Sequence, residues 1–285
     1  MPLADGTAAR NLSGGAWLVA DMALNVFALA IVKAMGLDYA AVQLVFLRAV
    51  TGLALMVPFV WSARQAFRAV NRLPLHALRV VLSALALTAS FFAIARLPFA
   101  LFTAISFTRP VVTMILAMLI LKEVVPRRRW WAAGLAFVGV YVAVEPGAMT
   151  LDWGLPAAFL TVLFGTSAII LTRKLSETPF VVMMVFYTAG LAVLTAPFAV
   201  VVWSPIAPDH LWSLLAIGLF AQSAQFCFLQ AHIRAEAAFL SVLGYLSLVF
   251  STTAGFIFFA EVPTPAFFIG AVLIVAAAMW TTLLR

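Results

Sequence analysis

Polar residues interrupt several long apolar runs of this sequence, and their chemistry needs an explanation. The segment "ISFTRPVVTM", residues 105 to 114, places Ser106, Arg109 and Pro110 in otherwise apolar surroundings. A guanidinium pairs with anionic groups, and proline removes a backbone hydrogen-bond donor from a helix. Arg109 is therefore expected either to make a buried structural hydrogen bond or to contact a ligand, and Pro110 is expected to bend its helix.

Two further charges, Asp21 and Arg48, also lie inside apolar runs. An arginine at the centre of a membrane helix costs about 2.5–3.5 kcal/mol on insertion scales, so it needs a partner or water. Arg48 is expected either to hold a backbone carbonyl between helices or to form a rearranging, gating ion pair with Asp21. Asp21 is expected either to titrate as a coupling group or to be solvated in a vestibule.

Amide and hydroxyl side chains form a third group of candidates. Gln222 and Gln225 lie on one face of the predicted helix 211–232. Amides donate and accept at once, which suits a zwitterionic ligand. The alternative is hydrogen bonding between helices, which contributes only about 0.6 kcal/mol per typical pair. Other polar residues at middle depth are Asn25, Ser106, Tyr187 and Tyr245.

The composition indicates that these residues are positioned by membrane-spanning helices. Of the 285 residues, 66% are hydrophobic and 9% charged, whereas soluble domains average about 45–50% apolar and about 25% charged. A bilayer core requires about 20 apolar residues per helix. We predict an all-α membrane protein with ten transmembrane helices, at residues 14–35, 39–62, 75–96, 98–121, 130–145, 153–173, 179–202, 211–232, 235–259 and 264–284.

The formal net charge of +7 is explained by topology. Most of the 17 basic residues lie at the termini and in alternate loops, including Arg79 just inside the third span. By the positive-inside rule both termini are predicted to be cytoplasmic. The opposite loops contain Lys33 and Glu261. The basic excess therefore indicates lipid headgroup contact and no nucleic-acid surface.

The two halves of the chain resemble each other at an offset of 138 residues. The segment 96–124 then aligns with 234–262, and Glu123 with Glu261. Each half has five spans, an odd number, so the halves 14–145 and 153–284 are predicted to form inverted repeats around a central cavity, as in secondary transporters. Small residues are expected to let helices 5 and 10 pack closely. These residues are Ala132, Ala136, Ala266 and Gly270.

The alignment also compares the Arg109–Pro110 pair with the second half. Its counterparts are Ser247 and Leu248, neither of which restricts the backbone as proline does. The predicted bend in the fourth span is therefore expected to be asymmetric.

Two segments resemble a known family. "VFLRAVTGLALMVP" (45–58) and "PVVTMILAMLILKEVVPRRRWWAAGLAFVGV" (110–140) are similar to the drug/metabolite transporter superfamily, specifically the ten-helix EamA-type permeases, and the chain looks closest to YddG-like exporters of aromatic amino acids. The resemblance implies metabolite export by alternating access, without ATP. The residues that match the family pattern are Arg48, Pro110, Glu123, Gly134, Glu261 and Gly270.

The function expected from this resemblance is secondary export of amino acids, including large neutral and aromatic ones, across a bacterial inner membrane. The alternative is export of another small metabolite or drug, or a channel. An enzyme is not expected, because catalysis requires converging nucleophiles, bases or metal ligands, and no cofactor is predicted. The expected partners are the small-molecule substrate and the lipid bilayer, with the protein a monomer or a homodimer.

Overall fold

The computed structural model describes residues 3–62, 72–121, 127–144, 152–175, 178–235, 239–240 and 243–283. Within these ranges all regular structure is helical. A short 3₁₀ helix, Pro208–His210, precedes α9. The α-helices are α1 Leu3–Met35, α2 Ala41–Ser62, α3 Leu73–Ile94, α4 Phe99–Ser106, α5 Arg109–Leu121, α6 Arg127–Val144, α7 Gly154–Lys174, α8 Phe180–Val201, α9 Leu211–Arg234, α10 Leu246–Phe259 and α11 Pro265–Leu283.

The helices make this chain a multi-pass membrane protein. Seven helical segments within the described residues are long and apolar enough to cross a bilayer, one of them combining α4 with the start of α5. Three shorter apolar segments lie in α6, α10 and α11. Large apolar side chains are exposed along the helices, as expected where lipid replaces water. Length and composition thus support seven of the ten expected spans directly.

The helix ends lie at two opposite faces. At one, called the Lys33 face, Tyr39 Oη and His210 Nδ1 share a hydrogen bond of 2.9 Å. The Gln43 amide there donates to the Ser204 carbonyl (2.8 Å) and accepts from its N–H (2.9 Å). At the other, called the Arg72 face, the Arg72 guanidinium donates to the carbonyl of Lys174. Helices that are distant in sequence are therefore joined at both faces.

The most extensive helix pairings join the two halves of the chain. They are α1 with α9, α3 with α7, α6 with α11, and α2 with α8 and α9. One buried apolar cluster draws on most of these helices. The core is therefore shared between the halves rather than divided between two separate units.

Helices α6 and α11 approach each other through glycines, which confirms the predicted close packing of helices 5 and 10. A methyl group at Gly139 would lie 2.8 Å from the Gly270 carbonyl oxygen. Ala132 and Ala136 are buried in the same region. Gly134, in contrast, has no heavy atom within 4 Å of its would-be Cβ.

The fourth span is interrupted, as Arg109 and Pro110 predicted, but the expected asymmetry is wrong. Helix α4 ends at Ser106 and α5 begins at Arg109, with a turn at residues 107 and 108. The ninth span has a matching turn at residues 244 and 245, before α10. There, the N–H of Ser247 donates to the Gly244 carbonyl in a tightened turn. A turn of this kind requires local backbone geometry and no proline.

We expect Gly270→Ala to lower the free energy of unfolding by about 1–3 kcal/mol, because overpacking forces α6 and α11 apart. The added methyl group would meet the Gly139 carbonyl oxygen and Ala143. Unfolding of the purified protein in a detergent titration measures the effect. Gly134→Ala is the matched control, and it should be neutral or slightly stabilising because open space surrounds that position. Equal destabilisation by both variants would contradict the close contact.

Candidate functional site

Arg48 occupies the inner face of α2 and reaches α8. Leu44 and Gly52, one turn away on either side along α2, are both buried. The Arg48 Nη1 donates to the Tyr187 hydroxyl oxygen at 3.4 Å. Tyr187 is itself flanked one turn away by buried Leu191. This long hydrogen bond is the single one that Arg48 makes among the described residues, so most of its donors remain available.

Arg79 of α3 also approaches this tyrosine, with its guanidinium carbon 5.9 Å from the Tyr187 ring centroid. Its Nη2 donates to the Met183 carbonyl at 2.8 Å, and its Nη1 donates to Thr172 Oγ1 at 3.5 Å. The sequence assigned Arg79 only a topological role, yet this side chain is buried. Arg79 therefore joins α3 to α7 and α8, and Tyr187 contacts two guanidinium groups.

Gln222 lies close to α2. A methyl group at Gly52 would lie 3.0 Å from Gln222 Oε1, and one at Gly218 would lie 2.5 Å from Thr51 Cβ. These two glycines allow α2 and α9 to approach closely. Gln222 consequently lies one turn of α2 from Arg48.

Gln225 occupies the inner face of α9. The same-face residues Gly218 and Ala221 are buried, yet Gln225 is partly accessible. An accessible amide among buried neighbours indicates space inside the helix bundle.

Asn25 on α1 gives the clearest indication of an internal cavity. In an α-helix with 3.6 residues per turn, residues that lie three or seven positions apart share a face. For Asn25 these are Leu18, Met22 and Val32, which are 5%, 7% and 0% exposed. Asn25 itself is exposed. Because Leu18, Met22 and Val32 on the same face are buried, we interpret the exposure of Asn25 as an opening onto space inside the bundle.

Asp21 lies one turn from Asn25 on this face and level with the glutamines of α9. Trp17 contacts Phe226 at a centroid distance of 6.1 Å, and Phe27 contacts Phe220 at 6.0 Å. Asp21 lies between these two contacts, as do the residues of α9 from Phe220 to Phe226. The structure thus brings Asp21 and Asn25 to the level of Gln222 and Gln225.

The expected ion pair between Asp21 and Arg48 is not formed in this structure. Arg48 hydrogen-bonds Tyr187 instead, and the ion pair that occurs among the described residues joins Lys33 to Glu261. Asp21 makes no hydrogen bond to any described residue. Two opposite charges therefore lie on inner helix faces without a counter-ion among the described residues.

The remaining candidates gather around the two helix interruptions. The Phe107 ring, at the interruption of the fourth span, contacts the Tyr245 ring, at that of the ninth, with centroids 5.4 Å apart. Ser106 Oγ donates to the Phe102 carbonyl at 3.1 Å. Pro110 is the second residue of α5, and its side chain lies outside the described part. Among the described residues, no hydrogen bond links this group to Arg48 or Gln222.

Arg109 begins α5, and its Nε is buried without a hydrogen-bond partner among the described residues. The Arg109 carbonyl accepts from Thr113 Oγ1 at 2.9 Å. The side chain thus has unused hydrogen-bonding capacity beside the interruption. Both expectations for Arg109, structural and ligand-binding, remain predictions.

A polar cluster at the Lys33 face was missed by sequence reasoning. Lys33 and Glu261 were treated as loop charges, but Lys33 Nζ lies 2.9 Å from Glu261 Oε1, with side chains 12% and 20% exposed. Lys33 Nζ also donates to the Leu97 carbonyl at 2.6 Å, and the Phe99 N–H donates to Glu261 Oε2 at 2.7 Å. A lysine within the last turn of an apolar helix was the available signal. Glu123, aligned with Glu261, lies outside the described residues.

Metal-binding geometry is absent from the described part of the chain, where no group of His, Cys, Asp and Glu side chains clusters suitably. The charged groups at the site are instead single residues on separate helices. This arrangement suits recognition of a charged organic molecule.

Comparison with known proteins identifies the chain's relatives. The model of the EamA-like transporter family matches residues 12–144 and again residues 152–283. A pseudopaline exporter of Pseudomonas aeruginosa is 30% identical over 88% of this chain and 89% of its own length. An S-adenosylmethionine uptake transporter of Rickettsia felis is 24% identical over 94% and 92% of the two chains.

A riboflavin transporter of Rhizobium johnstonii is 30% identical over 72% of this chain and 68% of its own length. A solved crystal structure matches with a TM-score of 0.66, covering 97% of this chain and 96% of the other, at 17% identity. That likeness concerns the fold alone. These relatives carry different metabolites, so the expected closeness to aromatic amino-acid exporters is not confirmed.

The internal space at Asn25 is testable by cysteine labelling. In a Cys227→Ala background, Asn25→Cys should react with a hydrophilic maleimide about tenfold faster or more than Val32→Cys, because reaction requires an accessible thiolate. Both positions share one face of α1, and Val32 is fully buried. Both rates are measured on purified protein in detergent, by following the increase in protein mass with mass spectrometry. Equal rates would place Asn25 in a packed interface.

Proposed function

This chain belongs to the EamA-like transporter family, and on that premise we propose that it is a secondary transporter of a small zwitterionic metabolite. Transport proceeds by alternating access, with a central cavity exposed to one side of the membrane at a time. The observation that carries the proposal is that Arg48 and Asp21, both on inner helix faces, have no counter-ion among the described residues.

An uncompensated charge inside a membrane protein is costly unless water or a ligand solvates it. Arg48 has donors free beyond its hydrogen bond to Tyr187, so it suits a carboxylate. Asp21 suits an ammonium or sulfonium group. The amides of Asn25 and Gln222 lie at the same level and satisfy donors and acceptors of the molecule between the two charges.

The amino acids expected from the sequence belong to this broader class of zwitterionic metabolites. The relatives named for S-adenosylmethionine and pseudopaline support a substrate larger than one amino acid. S-adenosylmethionine carries both a carboxylate, which can pair with Arg48, and cationic groups, which can pair with Asp21. Riboflavin has no fixed charge and would leave both Arg48 and Asp21 unpaired.

The pairing of the helices supports ten spans arranged as two inverted repeats, residues 14–145 and 153–284. When the halves are exchanged, the α1 pairing with α9 becomes that of α7 with α3, and the α2 pairing with α9 becomes that of α8 with α3. The pairings of α6 with α11 and of α2 with α8 map onto themselves. All of these contacts are extensive.

The contact between the two helix interruptions supports the same symmetry. Phe107 and Tyr245 are related by the offset of 138 residues, and their rings touch. Residues that correspond in two repeats can meet in this way where a pseudo-two-fold axis passes between them.

Charge supports the orientation. The Arg72 face carries Arg72, Lys174 and Arg234, at the ends of α3, α7 and α9. We assign this face, with both termini, to the cytoplasm under the positive-inside rule. The Lys33 face is then outside, and the bacterial relatives support a cytoplasmic-membrane location.

Counterflow in proteoliposomes tests this function. We expect internal unlabelled S-adenosylmethionine to drive uptake of labelled S-adenosylmethionine, with phenylalanine tested as the amino-acid competitor and riboflavin as the uncharged one. Arg48→Gln and Asp21→Asn should each lower uptake about 10- to 100-fold, because each loses a charge-assisted contact worth about 1.5–3 kcal/mol. Arg96→Gln, at an exposed arginine stacked on Phe92, is the control and should transport normally.

Other outcomes identify the alternatives. Preferred counterflow of phenylalanine would favour an amino-acid exporter, and flux without counterflow would indicate a channel. Arg109→Ala, measured alongside, decides whether the helix interruption belongs to the binding site, and Gln222→Ala tests the amide that lies one turn of α2 from Arg48. Undiminished uptake by both Arg48→Gln and Asp21→Asn would refute the zwitterion site.

A further inference from the structure

The ion pair between Lys33 and Glu261 joins three separate parts of the chain. Lys33 lies in the last turn of α1, Glu261 follows α10, and both bind the segment between α3 and α4 through Leu97 and Phe99. A second donor contact links Lys33 Nζ to the Ile94 carbonyl at 3.4 Å. The charges thus hold three elements together at a single point of the Lys33 face.

Apolar residues next to Lys33 and Glu261 pack closely and close the Lys33 face. The rings of Phe99 and Phe259 are stacked with centroids 6.4 Å apart, and Lys33 Nζ lies 5.3 Å from the Phe259 centroid. Ile94 and Leu97 are fully buried there. Gly36 and Ala95 approach so closely that a methyl group at Gly36 would meet Ala95 Cβ. Helices α1 and α3 are therefore closed against each other at the Lys33 face.

The corresponding helices of the second half, α7 and α9, contact each other less in the described part of the chain. Under the repeat symmetry of the proposed function, on which this step rests, the α1 contact with α3 corresponds to one between α7 and α9. Among the described residues, α7 and α9 lack even the limited contact that α1 and α3 make. The difference between the two ends is the one expected of a carrier closed at the Lys33 face.

Side-chain exposure agrees with an opening toward the Arg72 face. Leu55 lies seven residues beyond Arg48 on α2, on the same helix face and nearer the Arg72 face, and it is 40% exposed. Phe228 of α9 lies on the side of that helix where Ile217, Ala221 and Ala224 are buried, yet it is 41% exposed. Both exposures are those expected if the internal space continues from Arg48 and Gln225 toward the Arg72 face.

We infer that Lys33 and Glu261 form the outer gate of the transporter, and that their ion pair must break before the cavity opens at the Lys33 face. The pair holds the outward side shut while the substrate site faces the cytoplasm. Breaking it releases Leu97, Phe99 and the Phe259 ring together, because each is tied to one of the two charges. Lys33 and Glu261 are positioning residues in this scheme and make no contact with Arg48 or Asp21.

Labelling from outside tests the gate without any substrate. The probe is Asn25→Cys in the Cys227→Ala background, in right-side-out vesicles treated with a membrane-impermeant maleimide. Glu261→Gln retains an acceptor for the Phe99 N–H but removes the ion pair. It should raise the external labelling rate about fivefold or more, within the range of typical conformational couplings. Asp209→Asn, at an exposed carboxylate of the same face, is the control and should leave the rate unchanged.

Lys33→Gln is the second test variant. It replaces Glu261→Gln if size-exclusion chromatography shows that Glu261→Gln does not fold. It removes the same ion pair from the other side, so a gate predicts a rise in external labelling with either variant. If the ion pair only stabilises the fold, both variants should have lower thermal stability and should label from outside at the control rate. That result would overturn the inference. Counterflow of Glu261→Gln and Lys33→Gln, measured with Asn25 unchanged, separates the two proposals, because a labelling rise persists even where the assigned substrate is wrong.

Discussion

Hydrocarbon offers no hydrogen-bond partner, and this constraint governs where each polar group of the chain lies. Gln43, Arg79 and Lys33 bind backbone groups at helix ends or on neighbouring helices. In the part of the chain that the structure describes, Arg48 and Asp21 bind no backbone group, and they lie on inner helix faces. Polar side chains that hydrogen-bond the backbone thus belong to the scaffold, and those that do not belong to the proposed binding site.

The interrupted fourth and ninth spans follow from the same constraint. An interruption at membrane depth leaves backbone groups without helical partners, which is tolerated where protein or a cavity surrounds them. Here the two interruptions meet through the Phe107 and Tyr245 rings. The turn at residues 244 and 245 is present although the sequence has no proline there.

The close approach of small residues sets the distances across the molecule. Gly52 and Gly218 bring α2 against α9, and Gly139 and Gly270 bring α6 against α11. Without a hydrophobic drive between helices in lipid, such close packing supplies much of the association energy. The same contacts place Gln222 within one turn of Arg48, so packing and the composition of the site are linked.

Sequence by itself determined the apolar spans, the family pattern and the presence of costly charges such as Asp21 and Arg48, because each is a local property of composition or spacing. It also predicted the interruption at Arg109 and Pro110. Only the tertiary structure decided which charges are paired. Arg48 meets Tyr187 across 139 residues of sequence, and Lys33 meets Glu261 across the bundle. Such pairings depend on which helices touch and at what level, and no local pattern encodes that.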